Sequence, residues 1–427
     1  MTSLDDQTRT LRGGIEIPAR RPARWAELAK DFGAAYLGSG VTAVLFSATG
    51  PVAVIMAAGT AGSLTGPQIA SWIFGVFVLN GLLTCVASWV YRMPLAFFWT
   101  IPGTVIVGQA LPTSRWSDVV GAYIVTGVLI AVLGATGAVK TVMSAVPHRL
   151  VMALVAGAFL SFGTELVRSV SSDAVVAGSM VIAWLAATRF RVGGRQFPPI
   201  FAALCVGLVA PLVTGWSPST PAGSDGFSPV GLPSLVSPTW NAETCLQLVL
   251  PLAITVIAVQ NAQGTAVLTA SGHRPPLTMI TLFSGFWSVL AAFVGAVSSC
   301  LAGPSNALLV ADGERRRQYV AGIVCGVVAV VVGVFAPALV WGLSVVPHTF
   351  VAALAGVAML DALRGAFAAA FSPSREDAGK ARPPFGPLVT FVVTVSGIQI
   401  AGLSAPVWGL GAGILAAWLL DREPARA

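Results

Sequence analysis

A chain of 427 residues in which 56% are hydrophobic and only 10% are charged cannot coat a soluble globule, whose surface needs far more charge. With a mean hydropathy of +0.83 it reads as a polytopic membrane protein. The formal charge of +7 would also suit a nucleic-acid binder, but the basic residues are distributed by a membrane rule set out below.

The first 32 residues are polar and mixed in charge, without the apolar stretch of a cleavable signal peptide. Within them PARWAELAKDF puts Trp25, Leu28 and Phe32 on one helical face, which predicts a short interfacial helix. Apolar stretches able to cross or half-cross a bilayer then follow. The first seven lie at 33–59, 68–91, 94–110, 118–138, 146–167, 174–188 and 197–214. A linker at 215–242 is rich in Pro and Gly and has no Lys or Arg. The second seven lie at 243–270, 277–298, 300–311, 319–342, 346–367, 385–402 and 405–420. The expected organisation is thus a cytoplasmic segment 1–32, a first repeat 33–214, an extracytoplasmic linker, a second repeat 243–420 and a cytoplasmic tail 421–427.

Fourteen crossings with the N-terminus in the cytoplasm put 22 of the 24 Lys and Arg residues inside, and only Arg115 and Arg168 outside. One missed crossing would flip every later loop, so the split supports this topology, with both termini cytoplasmic. The basic runs RFRVGGR and ERRR then need no nucleic-acid partner.

The stretch VPHRLVMALVAGAFL from Val146 returns as VPHTFVAALAGVAML from Val346, and the chain has only three histidines. Seven crossings separate the copies, an odd number. The expected fold is therefore an all-α membrane protein of 14 segments in two inverted seven-span repeats, an arrangement found in secondary transporters.

The third and tenth stretches are interrupted, at Pro102-Gly103 and at Gly303-Pro304. Each is too short for one regular crossing helix, so an extended approach followed by a half-helix is expected. Inversion would face the two positive helix ends towards each other, which makes an anion site without arginine. The alternative is that Pro and Gly only kink two packed helices. Candidate substrate residues are Pro102, Gly103, Thr104, Gly303, Ser305 and Asn306 at the breaks, and the amides Gln260, Asn261 and Gln263 in the eighth stretch. Ser47 and Thr49 add hydroxyls, and Phe98 and Trp99 could wall a pocket for a ring. The amides serve equally as interhelical glue, and hydroxyls on membrane helices usually bond their own backbone.

Two acids lie at membrane depth, Asp361 and Glu165. Desolvation would fit either to carry a proton, with Asp361 the first candidate and Glu165 the next. A simple ion pair is the alternative, with Arg364 and Arg168 respectively, each three residues on. The five cysteines stand singly and read as packing residues with free thiols. No cofactor or metal is expected: the chain has no Walker loop, HExxH, GxSxG or carboxylate cluster, and so does not read as an enzyme.

Several motifs together resemble the benzoate/proton symporters of the BenE type: Ser71-Trp72, FWTIPGT at 98–104, VPHRLVMALVAGAFLSFG at 146–163, VQNAQG at 259–264, FVVTVSGI at 391–398 and VWGLGAG at 407–413. Gln263 stands where that family usually has proline, and Thr104 where it has alanine. The resemblance implies the seven-plus-seven fold of nucleobase and sulfate-type transporters, with a core of spans 1–4 and 8–11 and a gate of spans 5–7 and 12–14. It also implies proton-coupled import of a small aromatic carboxylate across the inner membrane, with substrate between spans 3 and 10 near span 8. The expected partners are a small anion, protons and lipid, and a homodimer is compatible. The alternatives are a nucleobase or inorganic-anion transporter of the same fold or, in another class, a passive channel or membrane scaffold.

Overall fold

A computed structural model describes residues 8–10, 15–139, 147–190, 199–213, 228–372, 384–400 and 403–421. Expectations for the first seven residues, for the end of the seventh stretch at 214, for 215–227 of the linker and for the tail after Asp421 lie outside these residues.

Among the described residues helix dominates, and strands occur only as three two-stranded antiparallel ribbons. The chain opens with a hairpin of β1 (Thr8–Thr10) and β2 (Glu16–Pro18), then α1 (Trp25–Asp31). α2 (Ala34–Ala61) breaks at Thr49, whose φ of −99° and ψ of −94° leave the helical region, and resumes with Pro51 in its first turn. α3 (Gly66–Tyr91) starts with Thr65 and Gln68 capping each other and ends at Arg92 in the left-handed region. After β3 (Phe97–Trp99) come α4 (Ile101–Ala110) and α5 (Trp116–Ala135). The first half closes with α6 (His148–Ser172), α7 (Ala174–Arg189) and α8 (Pro199–Val213).

The second half runs α9 (Ala242–Ala270), α10 (Leu277–Ala292), β4 (Ser299–Leu301), α11 (Gly303–Leu309) and α12 (Tyr319–Val334). It ends with α13 (Ala336–Val345), α14 (His348–Phe371), α15 (Phe385–Val395), β5 (Gln399–Ile400), β6 (Leu403–Ser404) and α16 (Ala405–Leu420). Seven helices among the described residues are long and apolar enough to cross a membrane, and six shorter apolar ones accompany them. The two VPH copies start matching elements: Pro147 and Pro347 each precede a long helix, α6 and α14, and these pack on each other.

Three apolar stretches end earlier than expected, each for a local reason. α10 stops at Ala292 because Gly295, at φ +76°, turns the chain into β4. The stretch 319–342 divides at Phe335, where Pro337 occupies the first turn of α13. α15 stops at Val395, before Gly397 at φ +64°.

Close backbone approach replaces bulky side chains where helices cross, as is common where lipid gives no hydrophobic drive between them. Where α3 meets α12, a Cβ on Gly81 would lie 2.7 Å from the Gly326 carbonyl oxygen, so neither position admits a larger residue.

Candidate functional site

At the centre of the bundle β3 and β4 pair antiparallel, with Phe98 opposite Cys300. Two further bonds lengthen the ribbon, Thr100 N to Ser298 O at 3.1 Å and Ala302 N to Ala96 O at 3.0 Å. Extended backbone at membrane depth must have its polar groups satisfied by protein. Here buried side chains do it. Thr84 Oγ1 on α3 accepts from Phe97 N at 2.8 Å, and Ser88 Oγ accepts from Leu95 N at 3.1 Å. Asn306 Oδ1 accepts from Ala96 N at 3.1 Å, while its Nδ2 donates to Ala96 O at 3.1 Å and Ala302 O at 2.7 Å. On the other strand, Ser288 Oγ accepts from Ser299 N at 2.9 Å and Asn261 Oδ1 from Leu301 N at 2.8 Å. Ser299 Oγ donates to Asn80 Oδ1 at 2.6 Å.

α4 and α11 start where the ribbon ends, each with proline in its first turn, at Pro102 and Pro304. Beside them a tight cleft of about 10 Å³, room for about one water, is lined by Ser47, Phe98, Trp99, Gln260, Ala302 and Ser305 among others. Two of its walls carry buried polar atoms with no hydrogen-bond partner, Trp99 Nε1 and Gln260 Oε1. Trp99 and Phe98 are fixed in an aromatic triad with Phe77, whose ring centroid lies 5.4 Å from that of Trp99 and 5.9 Å from that of Phe98. Phe77 sits in a π-helical turn of α3, Gly75–Leu79, and Gln260 in another of α9, Thr255–Asn261. Such turns recur at functional sites.

The structure sorts the sequence candidates. Phe98, Trp99, Gln260, Ser47 and Ser305 share the cleft. Asn261 and Asn306 hold strand backbone instead. Thr49 and Thr104 donate to carbonyls of their own helices, Leu45 O and Thr100 O, both at 3.0 Å. Ser47 donates to Ala43 O at 3.0 Å and lies 3.4 Å from Ser305 Oγ. The glycines face protein: a Cβ on Gly103 would collide with Thr100, and one on Gly303 would lie 2.5 Å from Gln263 Cδ. Gln263 itself is exposed.

The acids lie apart from this cleft. Asp361 is 71% exposed at its side chain and pairs with Arg364 at 3.1 Å, so protein burial does not desolvate it. Glu165, 3.6 Å from Arg168, lines a separate cavity of about 710 Å³ together with Thr60, Ser161, Ser344 and His348. No group of three or more metal-ligating side chains occurs among the described residues.

Sequence reasoning passed over Asn80, Thr84, Ser88 and Ser288. A signal existed for three of them, because Asn80, Thr84 and Ser88 recur at every fourth position of an otherwise apolar helix.

A helical bundle centred on two short strands and two half-helices is the architecture of a membrane transporter. It matches the transmembrane domain of the cyanobacterial bicarbonate transporter BicA with a TM-score of 0.60 at 14% identity, covering 92% of this chain and 99% of that one. Against SLC26A9 the TM-score is 0.62 at 14% identity, over 92% of this chain and 66% of the other. Residues 30–419 match the family described as benzoate membrane transport protein. The chain belongs to that family, and it is a transporter rather than an enzyme. Its relatives include the inner membrane protein YdcO of Escherichia coli, 29% identical over 88% of this chain and 93% of that one. The benzoate membrane transport protein of Acinetobacter baylyi is 28% identical over 93% and 98%.

Proposed function

We propose that this protein is a secondary active transporter that imports a small aromatic carboxylate, benzoate-like, together with protons. The observation that carries the reading is the orphaned indole N–H of Trp99, in a cleft walled by Phe98 where two half-helices begin. A buried donor without a partner costs about 1–3 kcal/mol, so the site favours a ligand that supplies an acceptor. A carboxylate does so for the indole N–H, and Phe98 offers its ring a face. Small-molecule sites combine apolar walls with a few such polar groups. In the present conformation the cleft is closed, and loading requires α4 and α11 to part from their neighbours.

In this reading the chain crosses the membrane as 14 segments in two inverted repeats, with both ends in the cytoplasm. The distribution of basic residues and the matched starts of α6 and α14 support it. Cysteines placed at Ser224 and Ser374 in a cysteine-free background then label from opposite sides with an impermeant reagent. Labelling of both from one side would refute the topology.

Import of an anion against an inside-negative potential needs a co-moving cation, and the reading assigns a proton. Glu165 takes the coupling role because it lines the large cavity. Asp361 stands in second place. Uptake of labelled benzoate into proteoliposomes tests the function directly, with accumulation expected only under an inward proton gradient. Glu165→Gln should still exchange benzoate while losing accumulation. If it accumulates normally and Asp361→Asn does not, the roles are reversed.

The runner-up is an inorganic anion, favoured by the tightness of the cleft. Bicarbonate or sulfate uptake with no response to benzoate would establish that alternative.

A further inference from the structure

Residues 15–33 form a strap stitched to three helix ends. Glu16 caps the start of α10, its carboxylate accepting from Thr278 N at 3.1 Å and Thr278 Oγ1 at 3.2 Å. At the last turn of α3, the Trp89 indole donates to Ala23 O at 2.7 Å and the Tyr91 hydroxyl to Glu16 O at 3.0 Å. Arg92 forms an ion pair with Glu27, which Arg21 also reaches at 3.1 Å. At the start of α12, the Tyr319 hydroxyl donates to Asp31 Oδ2 at 2.8 Å, and Arg317 Nε donates to Asp31 O at 3.0 Å. Apolar helices end at all three attachment points, so the strap runs along the edge of the apolar belt.

Its outward side is specific in composition. Trp25 is 83% exposed and Phe32 half exposed, and Trp89, which bonds the strap at Ala23, is exposed too. Arg20, Arg21, Arg24 and Lys30 are exposed around them. The strap's acids Glu27 and Asp31 are engaged by Arg21, Arg92, Arg317 and Tyr319, and the exposed Arg24 and Lys30 keep positive charge on the outward side. Aromatic rings at this depth lodge among lipid glycerol groups, and flanking cations reach phosphate. We propose that the strap is a docking surface for anionic phospholipid headgroups, which hold it against the ends of α3, α10 and α12. The inference does not depend on what the protein transports.

The test places Trp25→Cys in a background with the five native cysteines replaced and labels it with bimane. The protein is reconstituted in nanodiscs of phosphatidylcholine alone or of equal parts phosphatidylcholine and phosphatidylglycerol. The expected result is blue-shifted emission and weaker acrylamide quenching in the anionic discs, reversed by molar salt. The Arg20→Gln, Arg21→Gln, Arg24→Gln, Lys30→Gln combination should lose the difference between discs. Equal emission in the two discs overturns the proposal without any charge variant, and so does a combination variant that keeps the full difference.

Discussion

The two central crossings, β3 with α4 and β4 with α11, share a backbone plan and differ in how their helices begin. α4 has ten residues and a capped start: Thr100 Oγ1 accepts from Gly103 N at 3.1 Å and is itself held by Thr255 at 3.0 Å. α11 has seven residues and its N-cap is Ala302, which offers no side-chain cap. First-turn N–H groups therefore have a side-chain acceptor on one side of the cleft and none on the other. Near-symmetric backbones need not give symmetric chemistry. The open end borders the cleft in which Trp99 and Gln260 lack partners.

The hardest blow to this comparison is Asn306→Leu, which removes two bonds to Ala96 of the first crossing and one to Ala302 of the second, and leaves Ala96 N–H buried without an acceptor. A loss on the order of 3 kcal/mol is expected, read as a large fall in Tm of the detergent-solubilised protein or as failed expression. Near-parental stability would show that the ribbon does not rely on its side-chain supports. Next comes Trp99→Phe, which deletes one N–H and keeps the aromatic triad. Benzoate binding should weaken about tenfold, or ~1.4 kcal/mol, with Tm unchanged; undiminished binding would put the carboxylate elsewhere.

A subtler change makes the two helix starts alike. Ala302→Ser gives α11 the cap it lacks, and a cap contributes about 1 kcal/mol. Tm should rise slightly while benzoate affinity falls, because the hydroxyl competes for N–H groups left to the ligand. Tighter binding would contradict the open-end picture. The smallest effect is in pH. Burial holds the His273 imidazole below its usual range, with Arg315 adding to this and the Gln318 hydrogen bond opposing it. His273 Nε2 lies 2.8 Å from Gln318 Oε1, and Gln318 Nε2 donates to Val310 O and Asp312 O just beyond α11. With the folded pKa depressed, stability is full above about 6.5 and drains as pH falls, because the unfolded chain takes up the proton first. Tm should drop between neutral and mildly acidic pH, less steeply in His273→Gln. Parallel slopes in the two proteins would remove His273 from the support of the second crossing.

The sequence announces the two breaks, because Pro102-Gly103 and Gly303-Pro304 interrupt apolar runs too short to cross. It does not announce the strand pairing, since three residues per strand are too few to show alternation. Hydroxyls mislead for a related reason. Thr104 and Thr84 look alike in an apolar helix, yet Thr104 donates to its own backbone and Thr84 brackets the Phe97 peptide. Asn261 and Asn306 read as ligands because an amide at depth needs partners, and only the fold reveals that strand backbone supplies them. Position along a helix gave Asp361 a depth but not a facing, and the facing leaves it exposed. The π-helical turns have no signature at all in the residue pattern.

Those turns carry a consequence for the reading frame of the structure. A π turn holds one residue more than α-helical geometry would, and each residue advances an α-helix by about 100°. Deleting one residue from Thr255–Asn261 would restore regular α-helix and leave Ala262–Ala270 facing as before, whereas deleting one from Ala242–Ile254 would turn the two parts of the helix against each other by that angle. Gly264, whose missing Cβ leaves room for Leu301, keeps its place in the first case and swings away in the second. A deletion in the π turn should therefore cost less stability than the same deletion in Ala242–Ile254, although both remove a single residue.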